Sequence, residues 1–354
     1  MREAIQSIFK SQRKGSGSTQ KAKGFTLIEL LVAVILAALV ITPLLGFMIN
    51  ILATDRKEQA KAATEQELQA ALDYIARDLE QAVYIYDGKG LRGTGTAGIG
   101  DSLVNMEGEP VLAFWKRKNL PRAVDRNFET TGRSCPTSLS KQQKERQCND
   151  YFVYSLVVYS LIEGASVERW SNAARIARFE ISDGIRDPTS SDPNARISAN
   201  QADPKFQLFQ LKRGQSIETS MNAWESAGGP ITQGNALGYT NVLVDYIDQS
   251  KVPGNADLRP VSADYCLSPL GLDNGKLQER ERDKPDPKTP QQLNTLPANS
   301  MTSFFACVDT ERTLAHVYLR GNALARIQNK AEYDKDSPYF PNSTITVEGV
   351  GSIE

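Results

Sequence analysis

At 354 residues the chain has room for one large domain or two modest ones, and 40% hydrophobic with 23% charged residues excludes wholesale disorder. The net charge of -1 hides an asymmetry: residues 1–24 hold six basic side chains (Arg2, Lys10, Arg13, Lys14, Lys21, Lys23) against Glu3, a balance of +5 that leaves -6 for the remainder. A mildly acidic body argues against nucleic-acid binding by bulk electrostatics, so no nucleic-acid partner is expected.

The basic leader 1–24 ends in Gly24, and an apolar run opens at Phe25 with one carboxylate, Glu29, at its fifth position. From Leu30 to Thr54 there are 25 residues without a charge. As a helix they span about 37 Å, enough to cross a hydrocarbon core of about 30 Å. The Lys/Arg excess precedes the span, so the leader is expected to stay cytoplasmic and the body to be exported. An ordinary secretory signal would have an apolar core of only about 7–15 residues and a small-residue cleavage site. Here the run is longer, contains Glu29 and continues into a helical pattern. Thr42-Pro43 and Gly46 interrupt it, and a kink or loosened turn is expected near Pro43.

Beyond Asp55 the residues up to 67 are mostly Ala, Gln, Glu and Lys, all helix-favouring. Leu68, Leu72, Ile75, Leu79 and Val83 then recur at spacings of 4, 3, 4 and 4, one apolar stripe with Asp73, Arg77, Asp78 and Glu80 on other faces. The first clear stop is Asp87-Gly88-Lys89-Gly90. The pattern predicts one nearly continuous helix over 25–86, on the order of 90 Å long, transmembrane in 25–54. A globular head should fill 87–354.

In the head, strands are expected at Val111–Trp115, Tyr151–Ile162, Ala174–Ile181, Asn241–Ile247, Ser303–Val308, Ala315–Leu319 and Thr344–Val347. Ala174–Ile181 alternates like a half-exposed strand. Stretches 183–205 and 249–300, rich in Pro, Asp, Asn, Gln and Ser, read as long loops that need staples to be ordered. Four cysteines lie after the span: Cys135 and Cys148 are 13 apart, Cys266 and Cys307 are 41 apart. An even count in an exported body favours disulfides; three pairings are open, and 135–148 with 266–307 closes the shortest loops.

No catalytic constellation, cofactor fingerprint or metal-ligand spacing is present, and no enzyme is expected. The single histidine, His316, sits in an alternating run and reads as a packed or surface residue. Asp183 and Asp187 fit no EF-hand spacing. Trp115, Trp170 and Trp224 with Tyr151, Tyr154 and Tyr159 could form a sugar-binding platform, but aromatic side chains are the usual core of a β-rich head.

Glu29 requires a reason, since an acid at the bilayer centre costs about 2.5–3.5 kcal/mol. A peptidase cutting after Gly24 would meet no side chain there and would leave Phe25 with a cationic amine one helical turn before Glu29. Amine and carboxylate are each costly in lipid and cheaper paired, within one subunit or between neighbours. In context, KAKGFTLIELLVA resembles the cleavage and N-methylation site of type IV prepilins. The segments ITPLLGFMINILATDRKEQAKA, EQELQAALDYIARDLEQAVYIYDG, PVLAFWKR and WSNAARIARFEISDG are similar to the cyanobacterial hormogonium polysaccharide secretion pseudopilins, their C member most of all. The resemblance implies an α+β, pilin-like fold in which the long helix packs on a mostly antiparallel sheet. It further implies processing between Gly24 and Phe25, and a minor pseudopilin role in polysaccharide secretion and gliding motility. The implied partners are a prepilin peptidase/methylase, other pilins and pseudopilins, an inner-membrane assembly platform, and the exported polysaccharide as a candidate ligand. It implies a single-pass inner-membrane protein with a periplasmic head. The alternatives are a minor pilin of a motility or DNA-uptake pilus and a signal-anchored periplasmic carbohydrate-binding protein.

Overall fold

A computed structural model describes residues 24–164, 169–232, 241–252, 258, 261–262, 264–282, 288–297, 301–328 and 332–351. Of the basic leader only Gly24 falls within them; residues 1–23 lie outside. The chain divides into two compact units, residues 1–55 and 56–354.

The described part of the first unit is the beginning of helix α1 (Leu27–Leu79). All its residues from Gly24 onward are exposed, including Leu30, Ile35, Leu39, Phe47 and Ile51. Water does not tolerate a continuous apolar surface of this kind, whereas lipid does. By length and composition α1 is the one helix among the described residues able to cross a membrane. The helix runs through Pro43 without a break in its assignment. Thr42 Oγ1 donates to Ala38 O at 2.7 Å one residue before the proline.

The second unit begins with the polar remainder of α1. Its buried positions include Ala60, Thr64, Leu68, Leu72, Ile75 and Leu79, one stripe at helical spacing. The helix stops at Leu79, earlier than the expected 86, and Ala82–Ile85 form strand β1. Val83 follows the helical spacing, yet Ala-Val-Tyr-Ile is a β-favouring run and finds a partner strand. Its ladder to the strand Glu109–Asp125 and the burial of all four residues override the local pattern. Val83 thereby turns to the layer opposite the one that holds Leu79.

Two antiparallel sheets follow. The first has strands β1, β2 (Glu109–Asp125), β3 (Cys148–Ile162), β4 (Ala174–Ser182) and β5 (Asn241–Ile247), in that order across the sheet. The second has β6 (Phe304–Asp309), β7 (Leu314–Arg320) and β8 (Asn342–Glu348). Each expected strand is present, several with wider bounds. The widest change is in β2, whose basic continuation Lys116–Leu120 stays paired with Tyr151–Ser155.

One core joins the α1 stripe to both sheets through Phe114, Val157, Tyr159, Ile176, Phe304, Val317 and Leu319. Gly321 lets the helix come close, because a Cβ there would lie 2.5 Å from Thr64 Cγ2. A second core covers the other face of the five-stranded sheet with Trp115, Leu156 and Phe179 below Tyr86, Phe206, Phe209 and Trp224. Because both faces are covered, β4 is buried almost throughout, not half-exposed as its alternation suggests.

The 249–300 stretch, read as one loop, contains a helix at Asn274–Glu281, started by Asp273, whose side chain accepts from Lys276 N at 2.8 Å. It caps the outer face of the three-stranded sheet with Cys266, Leu267, Leu270 and Leu277. Cys266 pairs with Cys307 and Cys135 with Cys148. The first of these bonds and the buried Lys288, 2.7 Å from Asp87 and 3.0 Å from Glu218, pin the long excursion to the rest of the unit.

Candidate functional site: the N-terminal segment

Gly24, Phe25 and Thr26 precede the first turn of α1 and are exposed. A Cβ at Gly24 would meet nothing within 4 Å, and Phe25 on the other side of the bond is exposed. Thr26 acts as the helix cap: its Oγ1 accepts from Glu29 N at 3.3 Å, and its carbonyl accepts from Leu30 N at 3.1 Å. Thr26-x-x-Glu29 is the spacing of a capping box, a sequence signal that the reading of GFTLIE as a processing site passed over. A carboxylate in the first turn also faces the positive end of the helix dipole. Glu29 is therefore compatible with the helix electrostatically, and it remains exposed and available to a second charge. Phe25, four residues earlier, is 79% exposed.

In the second unit the other sequence-predicted residues are occupied structurally. Trp115 and Trp224 are buried, with Trp115 Nε1 donating to Tyr86 Oη at 3.0 Å and Trp224 Nε1 to Gln207 O at 2.6 Å. Tyr159 is buried on the helix side of the sheet. The aromatic set is thus divided among three clusters, with Tyr151 packed beside Val153 and Phe128, and forms no single platform; Trp170 stands apart, 36% exposed. His316 Nδ1 shares a 2.7 Å hydrogen bond with Thr346 Oγ1, and burial lowers its pKa. Asp183 is held by Arg196 at 2.7 and 3.0 Å, and Asp187 accepts from Thr189 N and Oγ1. Each carboxylate has its own neighbour, and among the described residues no group of three or more metal-ligating side chains is assembled.

The strongest electrostatic feature of the second unit was invisible in the sequence. Asp78, placed by helical spacing on a face away from the apolar stripe, is buried at the end of α1. Its Oδ1 accepts from Lys116 Nζ at 2.8 Å, and its Oδ2 accepts from Arg178 Nε at 2.6 Å and Tyr159 Oη at 2.8 Å. Glu180 completes the set, 2.6 Å from Arg178 and 3.3 Å from Lys118. Burial alone would raise the pKa of Asp78; the hydrogen bonds and charges of Arg178 and Lys116 outweigh it and hold the carboxyl below its usual range.

Among family models, the one described as the prokaryotic N-terminal methylation motif matches residues 19–45. No curated protein and no solved structure matches the chain. The motif at the N-terminus and the long apolar helix leading into antiparallel sheets give the chain an α+β, pilin-like architecture. The motif implies processing by a prepilin peptidase and assembly with other pilins, and the exposed apolar helix fits a membrane anchor.

Proposed function

We propose that the protein is a minor pseudopilin, cleaved between Gly24 and Phe25, methylated at the new Phe25 amine, and incorporated through Glu29 into a pilus-like assembly at the inner membrane. The observation that carries this reading is the lone carboxylate of Glu29 ahead of 25 uncharged residues, five positions past an unobstructed glycine. A buried amine from an incoming subunit would find in Glu29 the partner that makes its entry into lipid tolerable. The head is exported in this arrangement, and its two disulfides suit an oxidising compartment.

We further propose that the assembly serves polysaccharide secretion and gliding. This step is supported by the similarity of the helix and head segments to the hormogonium polysaccharide secretion pseudopilins. The dispersal of Trp115, Trp224 and Tyr159 into the cores disfavours the alternative of a sugar-binding head. The mass of the N-terminal peptide from membrane-extracted protein tests the processing. A species beginning at methylated Phe25 is expected; an intact leader, or a cut elsewhere, would overturn the pseudopilin reading. Deleting the gene should then reduce secreted polysaccharide and gliding together, and unchanged secretion would leave a motility or DNA-uptake pilus as the better assignment.

A further inference from the structure

Strand β3 is longer than its neighbour on one side. β4 ends at Ser182, opposite Ser155, so Tyr151–Tyr154 have β2 on one edge and, among the described residues, no strand on the other. Asp183 N still donates to Tyr154 O at 2.9 Å, and the ladder ends there. Backbone groups alternate in direction along a strand, so the N–H and C=O of Phe152 point the same way as those of Tyr154. That edge opens into a groove of about 700 Å³, whose walls include Arg186, Arg196, Leu208 and Phe209. The volume is within the range of binding sites.

Three features define what would fit. The open strand edge offers hydrogen bonds in the spacing of another extended backbone. Phe152, 51% exposed, and Leu208, 38% exposed, offer apolar contact to alternate side chains of such a segment. The charge is cationic: the lining carboxylate, Asp183, is already neutralised by two bonds from Arg196. Arg186 is exposed on the groove, and Arg117 lies over the Phe152 ring at 4.6 Å. Neither guanidinium has a carboxylate partner among the described residues. A glycan fits less well. Phe206 and Phe209 are each 8% exposed and packed around Trp115, while one face of Phe152 is taken by Arg117.

We propose that this groove binds an extended polypeptide segment of a partner subunit, alternating acidic and apolar residues, as an added strand on the free edge of β3. The site is independent of N-terminal processing, and its failure would leave the pseudopilin reading intact. The test uses full-length protein in detergent micelles and short fluorescein-labelled peptides read by anisotropy. A peptide alternating glutamate and valine should bind saturably. Replacing its alternate residues by proline, which removes backbone donors, should weaken binding about tenfold or more. Phe152→Ser should do the same, and Arg186→Glu should transfer the preference to a lysine–valine peptide. Both side chains are exposed, so neither variant threatens the fold. Absence of saturable binding, equal binding of the proline peptide, or preferential uptake of an acidic oligosaccharide would overturn the proposal.

Discussion

Replacing Glu29 by alanine is expected to leave cleavage after Gly24 intact and to reduce incorporation into the assembled structure by about a hundredfold. The peptidase would approach a glycine around which a Cβ has open space, and the substitution leaves that approach unchanged. In the proposed mechanism the processed N-terminus, by contrast, enters lipid as an amine. Without a carboxylate partner the charge costs about 2.5–3.5 kcal/mol, which is close to two or more decades in an equilibrium. Glu29→Asp keeps the charge and should recover part of the incorporation. The measurement is the ratio of processed protein in the sheared filament fraction to that left in membranes. Wild-type incorporation of Glu29→Ala would remove the proposed role of the carboxylate. Thr26→Ala separates the two local functions of the segment, since it removes the cap on Glu29 N while leaving the carboxylate in place.

The second large effect concerns the opposite end of the same helix. Asp78→Ala is expected to destabilise the head by about 3 kcal/mol, because Arg178, Lys116 and the Tyr159 hydroxyl would lose a buried acceptor and the two cations would be left with Glu180 alone to share. Unfolding of the full-length protein by urea in detergent, followed through the buried Trp115 and Trp224, reads this directly. The loss should also be visible in the acid response. Asp78 titrates below its ordinary value when folded, so its contribution is complete above the unfolded carboxyl range near about 3.9 and is lost as pH falls through the depressed native value. Asp309 behaves alike, its burial outweighed by Arg280 and Arg312. The wild-type urea midpoint should therefore hold from neutral pH to about 5 and fall below about 4. Asp78→Ala should start lower and fall less steeply. An unchanged midpoint would show that the ion pairs contribute nothing net.

Much of the architecture was legible because it rests on local chemistry. An apolar stripe at spacings of 4 and 3 and β-branched, aromatic runs such as Tyr151–Ile162 report their own secondary structure. The misreadings have one cause. Val83 continued a helical spacing, Ala174–Ile181 alternated, and Asp78 was charged, so each pointed locally to the wrong environment. In each case the deciding partner lies far along the chain: β2 for β1, the second core layer for β4, and Lys116, Tyr159 and Arg178 for Asp78.

The sequence by itself marked the N-terminal methylation motif and the long apolar run, because Gly24, Glu29 and the 25 uncharged residues are legible from single-residue properties. The tertiary structure alone decided which cysteines pair, that Trp115 and Trp224 serve as core, and that β3 leaves an edge open beside Arg186. Those outcomes depend on which segments meet, and the free energy of burial that brings them together is shared among residues a hundred or more positions apart.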